Sequence, residues 1–389
     1  MTNENQPKQR RKWNIIGRIL ALLVTAALVL GALMLVIYRD RFNLDALERW
    51  LAYRNLETGE TGQAAPFTHA GGDKLTVAYL DNGVLLSSAT GAHYYSFSGE
   101  KYAEEVLDMD NPVLSASAKA GVVYDAGGQS LFLFRRGEKS FDLTLDGAAD
   151  LLSARVNDNG WLAVTAQQSG YKGSVTVYNT NGEKIIQISL SSTFLVDAAV
   201  SPDNKTVAVV VMDQLAGQFR SRVLFYPVDR DTPSAEADLG SVTVLELDYE
   251  KDALWVLAED RLITVSPNGS ELGTYSFGST YLKGCSLGGD GFALLLTGRY
   301  RAGTADRALT VGADGNLLHA LTLTTPALDF SAAGDYCSVL SGSQLTVYDR
   351  MGQVYAMLDA TQGARYTALS ANGSSLLANT QQAWLYIPD

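Results

Sequence analysis

The sequence is poor in the residues that most often carry chemistry. Three histidines, His69, His93 and His319, and two cysteines, Cys285 and Cys337, in 389 residues leave no ligand spacing for a metal and no framework of disulfides. No HExxH helix and no twelve-residue calcium loop is present, and no G-x-S-x-G nucleophile motif is expected. "LDMDNP" and "VNDNG" hold carboxylates in turns, which Asp and Asn occupy for backbone reasons. The histidines therefore read as surface or packing residues, and the cysteines as two buried thiols rather than a pair. No catalytic residue, metal or cofactor is expected. Helical periodicity is scarce too: after one short segment following the hydrophobic run, no helix of comparable quality is expected.

A long hydrophobic run is nevertheless there, once. "ILALLVTAALVLGALMLVIY", residues 19–38, is twenty residues without a charge, enough to span a hydrocarbon core of about 30 Å as a helix. A cleaved secretory signal would be shorter and would end in small residues, whereas this run ends in "VIYRD". An uncleaved signal-anchor is the better reading. Lys8, Arg10, Arg11, Lys12 and Arg18 precede it against Glu4 alone, and only Arg39 and Arg41 follow, so the positive-inside rule places the N-terminus in the cytoplasm and the rest outside. The expected organisation is a basic tail (1–14), a transmembrane helix (15–38), a juxtamembrane helix and linker (39–61) and an extracytoplasmic domain (62–389), in a single-pass protein of the cell membrane.

Positive charge is scarce in that outer domain. Residues 1–41 carry seven basic and two acidic side chains, so the chain's net −12 leaves −17 on residues 42–389. Nucleic acid, whose binding needs cations against phosphate, is excluded as a partner.

After the span, "FNLDALERWLAYRNL" reads as a short helix with Asn43 as cap and Leu44, Leu47 and Leu51 at helical spacing. Trp50 and Tyr53 fit equally a place among lipid headgroups or a packing role on the outer domain. From residue 73 on, short runs rich in Val, Leu, Tyr and Thr are broken every eight to twelve residues by Gly-, Asp- and Asn-containing turns, which means all-β. The "SPDN" turn ending at Asn204 has counterparts ending at Gly83, Gly121, Gly160, Lys251, Gly291, Gly334 and Gly373, spaced by 38 to 47 residues. A period near forty with four strands per unit predicts a β-propeller. Eight first strands are visible, so eight four-stranded blades are expected, with seven as the alternative. The last unit stops after its third strand, and residues around "AAPFTHAG" are expected to supply the fourth. The column Val77, Ser115, Ala154, Ala198, Leu245, Cys285, Leu328, Thr367 is mostly small or aliphatic and is expected to pack at the crowded axis.

Departures from the repeat are the natural place to look for function. Between second and third strands the turn swells in three units, to "QQSGYKGS" (167–174), "MDQLAGQFRS" (212–221) and "TGRYRAGTADR" (297–307). Equivalent loops of a propeller share one face. These loops and an adjacent strand residue gather Tyr171, Lys172, Phe219, Arg220, Arg222, Arg299, Tyr300, Arg301 and Arg307, a basic and aromatic cluster suited to an envelope protein or an anionic polymer. At the inner strands Arg155, Glu246 and Asp329 are candidates to line the channel, pairing with one another or with water, or else holding a ligand.

The order of parts resembles a known family. A basic tail, one span, "NLDALERWLAYRNL", a linker with "PF" and repeats such as "NPVLSASAKAGVVYDAGGQSLFLF" are similar to the bacterial family of domain of unknown function 5711. That resemblance implies a single-pass envelope protein with a propeller-like outer domain and carries over no catalytic residues. The repeats also resemble, loosely, quinoprotein and WD-type propellers, although the GH and WD dipeptides are missing. The expectation is a membrane-anchored binding or scaffold module. The alternatives are an envelope-glycan hydrolase or lyase at the channel mouth, with Asp329, Glu246 and Arg155 as first suspects, and a ligand sensor coupled to a membrane partner.

Overall fold

The computed structural model describes residues 17–26, 28–30, 44–147, 149–250 and 252–388, which fall into two units, Met1–Leu51 and Ala52–Asp389. In the first unit residues 17–26 and 28–30 are helical. Among the described residues no helix is long and apolar enough to cross a membrane; residue 27 and residues 31–38 of the expected span, like the cap Asn43, lie outside them. The short helix is present as Leu44–Tyr53, with Asp45 in its first turn. Leu47, Trp50 and Leu51, at helical spacing, are all exposed.

The second unit is a ring of eight four-stranded antiparallel sheets. Their innermost strands are Thr76–Leu80, Pro112–Ala116, Leu151–Val156, Phe194–Val200, Val244–Tyr249, Tyr281–Gly289, Asp329–Ala333 and Tyr366–Leu369, numbered below as blades 1 to 8. Second strands such as Leu162–Ala166, Leu254–Ala258 and Phe292–Gly298 are buried at every position, because neighbouring blades cover both faces. Outer strands such as Ala235–Gly240 alternate, since solvent reaches one side. The apolar core is accordingly divided into one cluster per blade interface, eight in all, so the ring is continuous and holds eight blades, not seven.

The recurring turn has a backbone cause. Asn204 sits at φ 60° and its counterpart Gly160 at φ 76°, the left-handed region that Gly and Asn tolerate. Ser201 Oγ accepts from the amides of Lys205 and Thr206, which closes the hairpin.

Blade 8 takes its outer strand from the other end of the chain: Phe67–Thr68 pairs with Gln382–Tyr386, Phe67 opposite Ala383. Strand order defines two faces. Turns from first to second and from third to fourth strands lie on one, the turn face; loops from second to third strands and the links between blades lie on the other, the loop face. The chain reaches the ring from the turn face: the Ile387 amide donates to Gly62 O, and Tyr53 is buried with its hydroxyl 2.7 Å from that of Tyr79 and its ring edge-on to Phe97. Of the two roles open to Tyr53, packing is the one adopted.

Two histidines are buried where the closing strand meets blade 1. His69 Nε2 is 3.0 Å from Asn379 O, and His93 Nδ1 is 3.2 Å from Glu104, with Tyr95 stacked on the His93 ring and Lys101 and His69 also facing it. Both are packing residues, as expected. Burial lowers the pKa of His93, and Glu104 only partly opposes this. The folded state therefore binds this proton less readily than the unfolded chain, so the stabilisation holds at neutral pH and is lost as pH falls below the ordinary histidine value of about 6.5. We expect the thermal midpoint of His93→Gln relative to wild type to rise between about pH 7 and pH 5. The difference between the two profiles isolates His93, because the raised pKa values of Asp248, Glu250 and Asp329 favour the folded state as pH falls. Parallel profiles would remove His93 from the pH response.

Candidate functional site

On the loop face the links into blades 4, 5, 6 and 7, residues 191–193, 241–243, 277–280 and 323–328, contain no charged residue. Links into blades 1 to 3 hold Asp73, Lys74, Asp108, Asp110, Asp146 and Asp150. Where each uncharged link meets its inner strand stands a large apolar side chain in solvent: Phe194 (47% exposed), Leu245 (54%), Tyr281 (45%) and Leu328 (52%). Four blades in succession thus present an apolar crescent around the channel mouth. Exposed apolar side chains repeated at one level of successive blades are where an interaction site is sought.

The crescent corrects one expectation. The spacing of Leu245 and Leu328 predicts a place in the packed axial column, yet both are more than half exposed. The register of the inner strand of blade 5 shifts between Val244 and Glu246, so Leu245 is the extra residue of a β-bulge and is turned out of the alternation. Leu328 precedes its strand, in the link, with its amide donating to Leu340 O.

The three swollen loops all lie on this face, and they use their charges differently from one another. In blade 4 the second and third strands, Thr206–Leu215 and Gln218–Pro227, outrun the first, whose pairing ends at Phe194 opposite Met212. The excess is a free two-stranded arm, turned by Ala216 and Gly217 at φ 51° and 83°, with Leu215 and Phe219 exposed near its tip. Arg220 and Arg222 stiffen this arm rather than offering free cations. Arg220 Nε lies 3.2 Å from Asp213 and Nη1 3.4 Å from Asp238; Arg222 reaches Asp213 at 2.5 Å and Glu236 at 2.9 Å. The two guanidiniums hold the Asp213 carboxyl below the usual carboxylate range.

In blade 3 Lys172 lies over the Phe194 ring, 4.3 Å from its centroid, a cation–π contact that ties this loop to the crescent beside the exposed Tyr171. In blade 6 Arg299 is 3.6 Å from Asp306, the Arg301 carbonyl accepts from Lys283 Nζ at 2.8 Å, and Tyr300 is the most exposed aromatic of the loop face. Arg301 and Arg307 have no ion-pair partner among the described residues. Of the nine candidates, Lys172 meets Phe194, while Arg220 and Arg222 gather on Asp213 along the arm of blade 4. Those of blade 6 stand apart, across blade 5.

The channel candidates divide. Arg155 Nε donates to Asp197 Oδ2 at 2.7 Å and Nη1 to Leu247 O at 2.9 Å, so one side chain spans from blade 3 past blade 4 to blade 5. Ser153 Oγ donates to the other oxygen of Asp197. Burial raises the pKa of Glu246, with Arg155 opposing, and raises that of Asp248 to about 6. Asp329 takes no part in this group. It accepts from the amides of Phe330 at 2.9 Å and Thr367 at 2.7 Å, and burial moves it to about 6. On the turn face Glu250 is raised to about 7 by burial and by Asp248, and accepts from the Gly291 amide.

The spelling G-x-S-x-G does occur, at residues 284–288, contrary to the expectation of no such motif. It lies inside the strand Tyr281–Gly289 rather than at a strand-to-helix turn, Ser286 Oγ accepts from the Ala332 amide, and no histidine bonds to it. It is a stretch of blade, not a nucleophile elbow. Cys285 and Cys337 are free thiols whose pKa burial raises, that of Cys337 to about 12. Among the described residues no three His, Cys, Asp or Glu are grouped to hold a metal ion.

Sequence reasoning missed Phe194, Leu245, Tyr281 and Leu328, although a signal was present in the four successive links without charge. It missed Asp197 as well, the partner of Arg155.

The ring is similar to many solved propellers at low identity. The C-terminal WD40 domain of Sif2 aligns with 83% of this chain and 99% of its own at 14% identity and a TM-score of 0.57. The computationally designed Ika8 protein aligns with 85% of this chain and 98% of its own at 13% identity and 0.57. The quinohemoprotein alcohol dehydrogenase from Comamonas testosteroni aligns with 83% of this chain and 76% of its own at 8% identity and 0.54. At these identities the likeness is one of fold alone. No curated protein matches the chain in sequence. The family of unknown function DUF5711 matches residues 57–360, most of the ring, and the chain belongs to that family.

Proposed function

We propose that this protein is a membrane-anchored extracytoplasmic binding module of the cell envelope, whose propeller receives a partner protein on its loop face. The observation that carries the reading is the apolar crescent of Phe194, Leu245, Tyr281 and Leu328. Exposed aromatic anchors such as Phe194 and Tyr281 are the residues enriched at protein-binding centres. The chain's own lead, Ala52–Gln63, comes to the ring on the turn face, so the loop face is left open. The anchoring half of the proposal rests on the uncharged run 19–38 and its basic flank, and on the exposed stripe of Leu47, Trp50 and Leu51, which suits a helix lying among headgroups.

A photo-reactive phenylalanine placed in cells at Tyr281 is expected to give a discrete protein adduct, and one at Met351, exposed on the turn face, is not. Combining Leu245→Asp with Leu328→Asp should abolish the Tyr281 adduct while moving the thermal midpoint by no more than ~2 °C, because both side chains already stand in water. An adduct that survives the double substitution, or that forms equally at Met351, would overturn the proposal.

A further inference from the structure

Where the crescent ends, between the loop of blade 7 and the link into blade 8, the loop face opens into a cleft of about 530 Å³ lined by Leu328, Gly342, Gly363, Ala364, Arg365 and Tyr366. The cleft is broadly open to solvent, so it suits a side chain presented by a larger partner. Leu328 belongs to the crescent and the cleft at once, so the two surfaces are continuous. Nothing of the protein fills the opening from the glycine side: a Cβ on Gly342 or Gly363 would meet no atom within 4 Å. Gly363 must be glycine for its φ of 79°; Gly342 has no such constraint.

The cleft contains one charged residue, Arg365, which is exposed and has no ion-pair partner among the described residues. Its backbone is fixed, since its amide donates to Ala378 O, and beside it the exposed Leu328 and the half-buried Tyr366 line the same cleft. A lone guanidinium over apolar ground is built for a carboxylate that arrives with a hydrocarbon neighbour.

We infer that the cleft takes a glutamate or aspartate side chain flanked by apolar residues, within a linear segment of the partner protein that continues along the crescent. This inference rests on the loop-face reading above and names the part of the partner that face selects. A polyanionic polymer fits less well. Such a polymer is held by a row of free cations, whereas here Arg220 and Arg222 are committed to Asp213, Arg301 and Arg307 stand on blade 6, and the −17 of residues 42–389 repels it. A C-terminal carboxylate fits less well too, since chain termini are gripped by nests of backbone amides and this cleft presents a side-chain fork.

The test uses the full-length protein in detergent and four probes read by fluorescence anisotropy: a fluorescein-labelled amidated peptide, Gly-Ser-Phe-Glu-Leu-Phe-Ser; the same peptide with Gln for Glu; that Gln peptide with a free C-terminus; and labelled polyphosphate. The Glu peptide should bind at least tenfold more tightly than the other three. Arg365→Glu should remove that preference, and Gly342→Phe, which fills the opening from an unstrained position, should abolish binding of the Glu peptide. Equal binding of the Glu and Gln peptides, no binding of either, preference for the free terminus or for polyphosphate, or a preference that survives Arg365→Glu would each overturn the inference. If the peptides fail while the Tyr281 adduct persists, the peptide class is wrong and the loop-face reading stands; if both fail, both fall.

Discussion

Replacing Asp197 with alanine is expected to destabilise the propeller by about 3 kcal/mol, because it leaves a guanidinium without its counter-charge inside the ring. Asp197 is 7% exposed and all its contacts are made at once: Arg155 at 2.7 Å, Ser153, and its own neighbour's amide at Ala198. Arg155 retains 23% of its side-chain surface in solvent, which sets the figure at the lower end of the cost of breaking such a pair. The pair as a whole is worth much less than its breakage costs, since an apolar replacement of both partners also removes their desolvation. Arg155→Leu combined with Asp197→Ala should therefore recover more than half of the loss. Urea unfolding of the two single variants and the double variant gives the coupling directly. An Asp197→Ala protein within about 1 kcal/mol of wild type would mean that water or Glu246 replaces the lost partner.

Trp384→Ala is the second large effect, at about 4 kcal/mol. The indole is 1% exposed and fills the interface between blades 7 and 8 together with Leu340, Leu345, Val347 and Leu377. Its Nε1 also donates to Gln63 Oε1 at 3.2 Å, and the same oxygen accepts from Gln362. The substitution thus leaves a cavity and releases the segment that leads into the closing strand. Trp384→Phe keeps most of the apolar contact and loses the hydrogen bond, so it should cost roughly 1–2 kcal/mol. Hydrogen exchange separates the two contributions: in Trp384→Phe the amides of residues 64 and 69, which bond to Leu385 O and Gln381 O, should exchange faster while those of blades 3 to 5 are unchanged. Uniform acceleration around the ring would show that blade 8 opens only with the whole.

Architecture was legible because a propeller writes its period into the chain. The left-handed position that ends the first hairpin in five of the blades asks for Gly or Asn, so Gly160, Asn204, Gly291, Gly334 and Gly373 marked blades before any strand was paired. Closure by Phe67–Thr68 followed from a last unit that lacked a strand. What could not be read is what depends on a single residue's aim. Leu245 has the spacing of a core residue and is exposed because one bulge turns it, and bulges leave little trace in composition. Arg220 and Arg222 look free in a basic loop; Asp213 and Asp238, 7 and 18 residues from Arg220, and Asp213 and Glu236, 9 and 14 from Arg222, neutralise them only once the strands pair. Arg155 and Asp197 are 42 residues apart, close to one repeat, and meet because neighbouring blades set them side by side.

The closing strand also bears on the order in which the protein is made. Phe67 and Thr68 leave the ribosome before any blade exists, while their partners Ala383 and Gln382 come 316 and 314 residues later. Throughout synthesis the closing strand has no partner, and the blades fold without it. Closing so long a loop is entropically costly, and contacts of such separation form late and slowly. Ring closure is thus expected to be the final and slowest step of folding, and until then blade 8 offers an unpaired edge at Gln382–Tyr386 to any strand within reach.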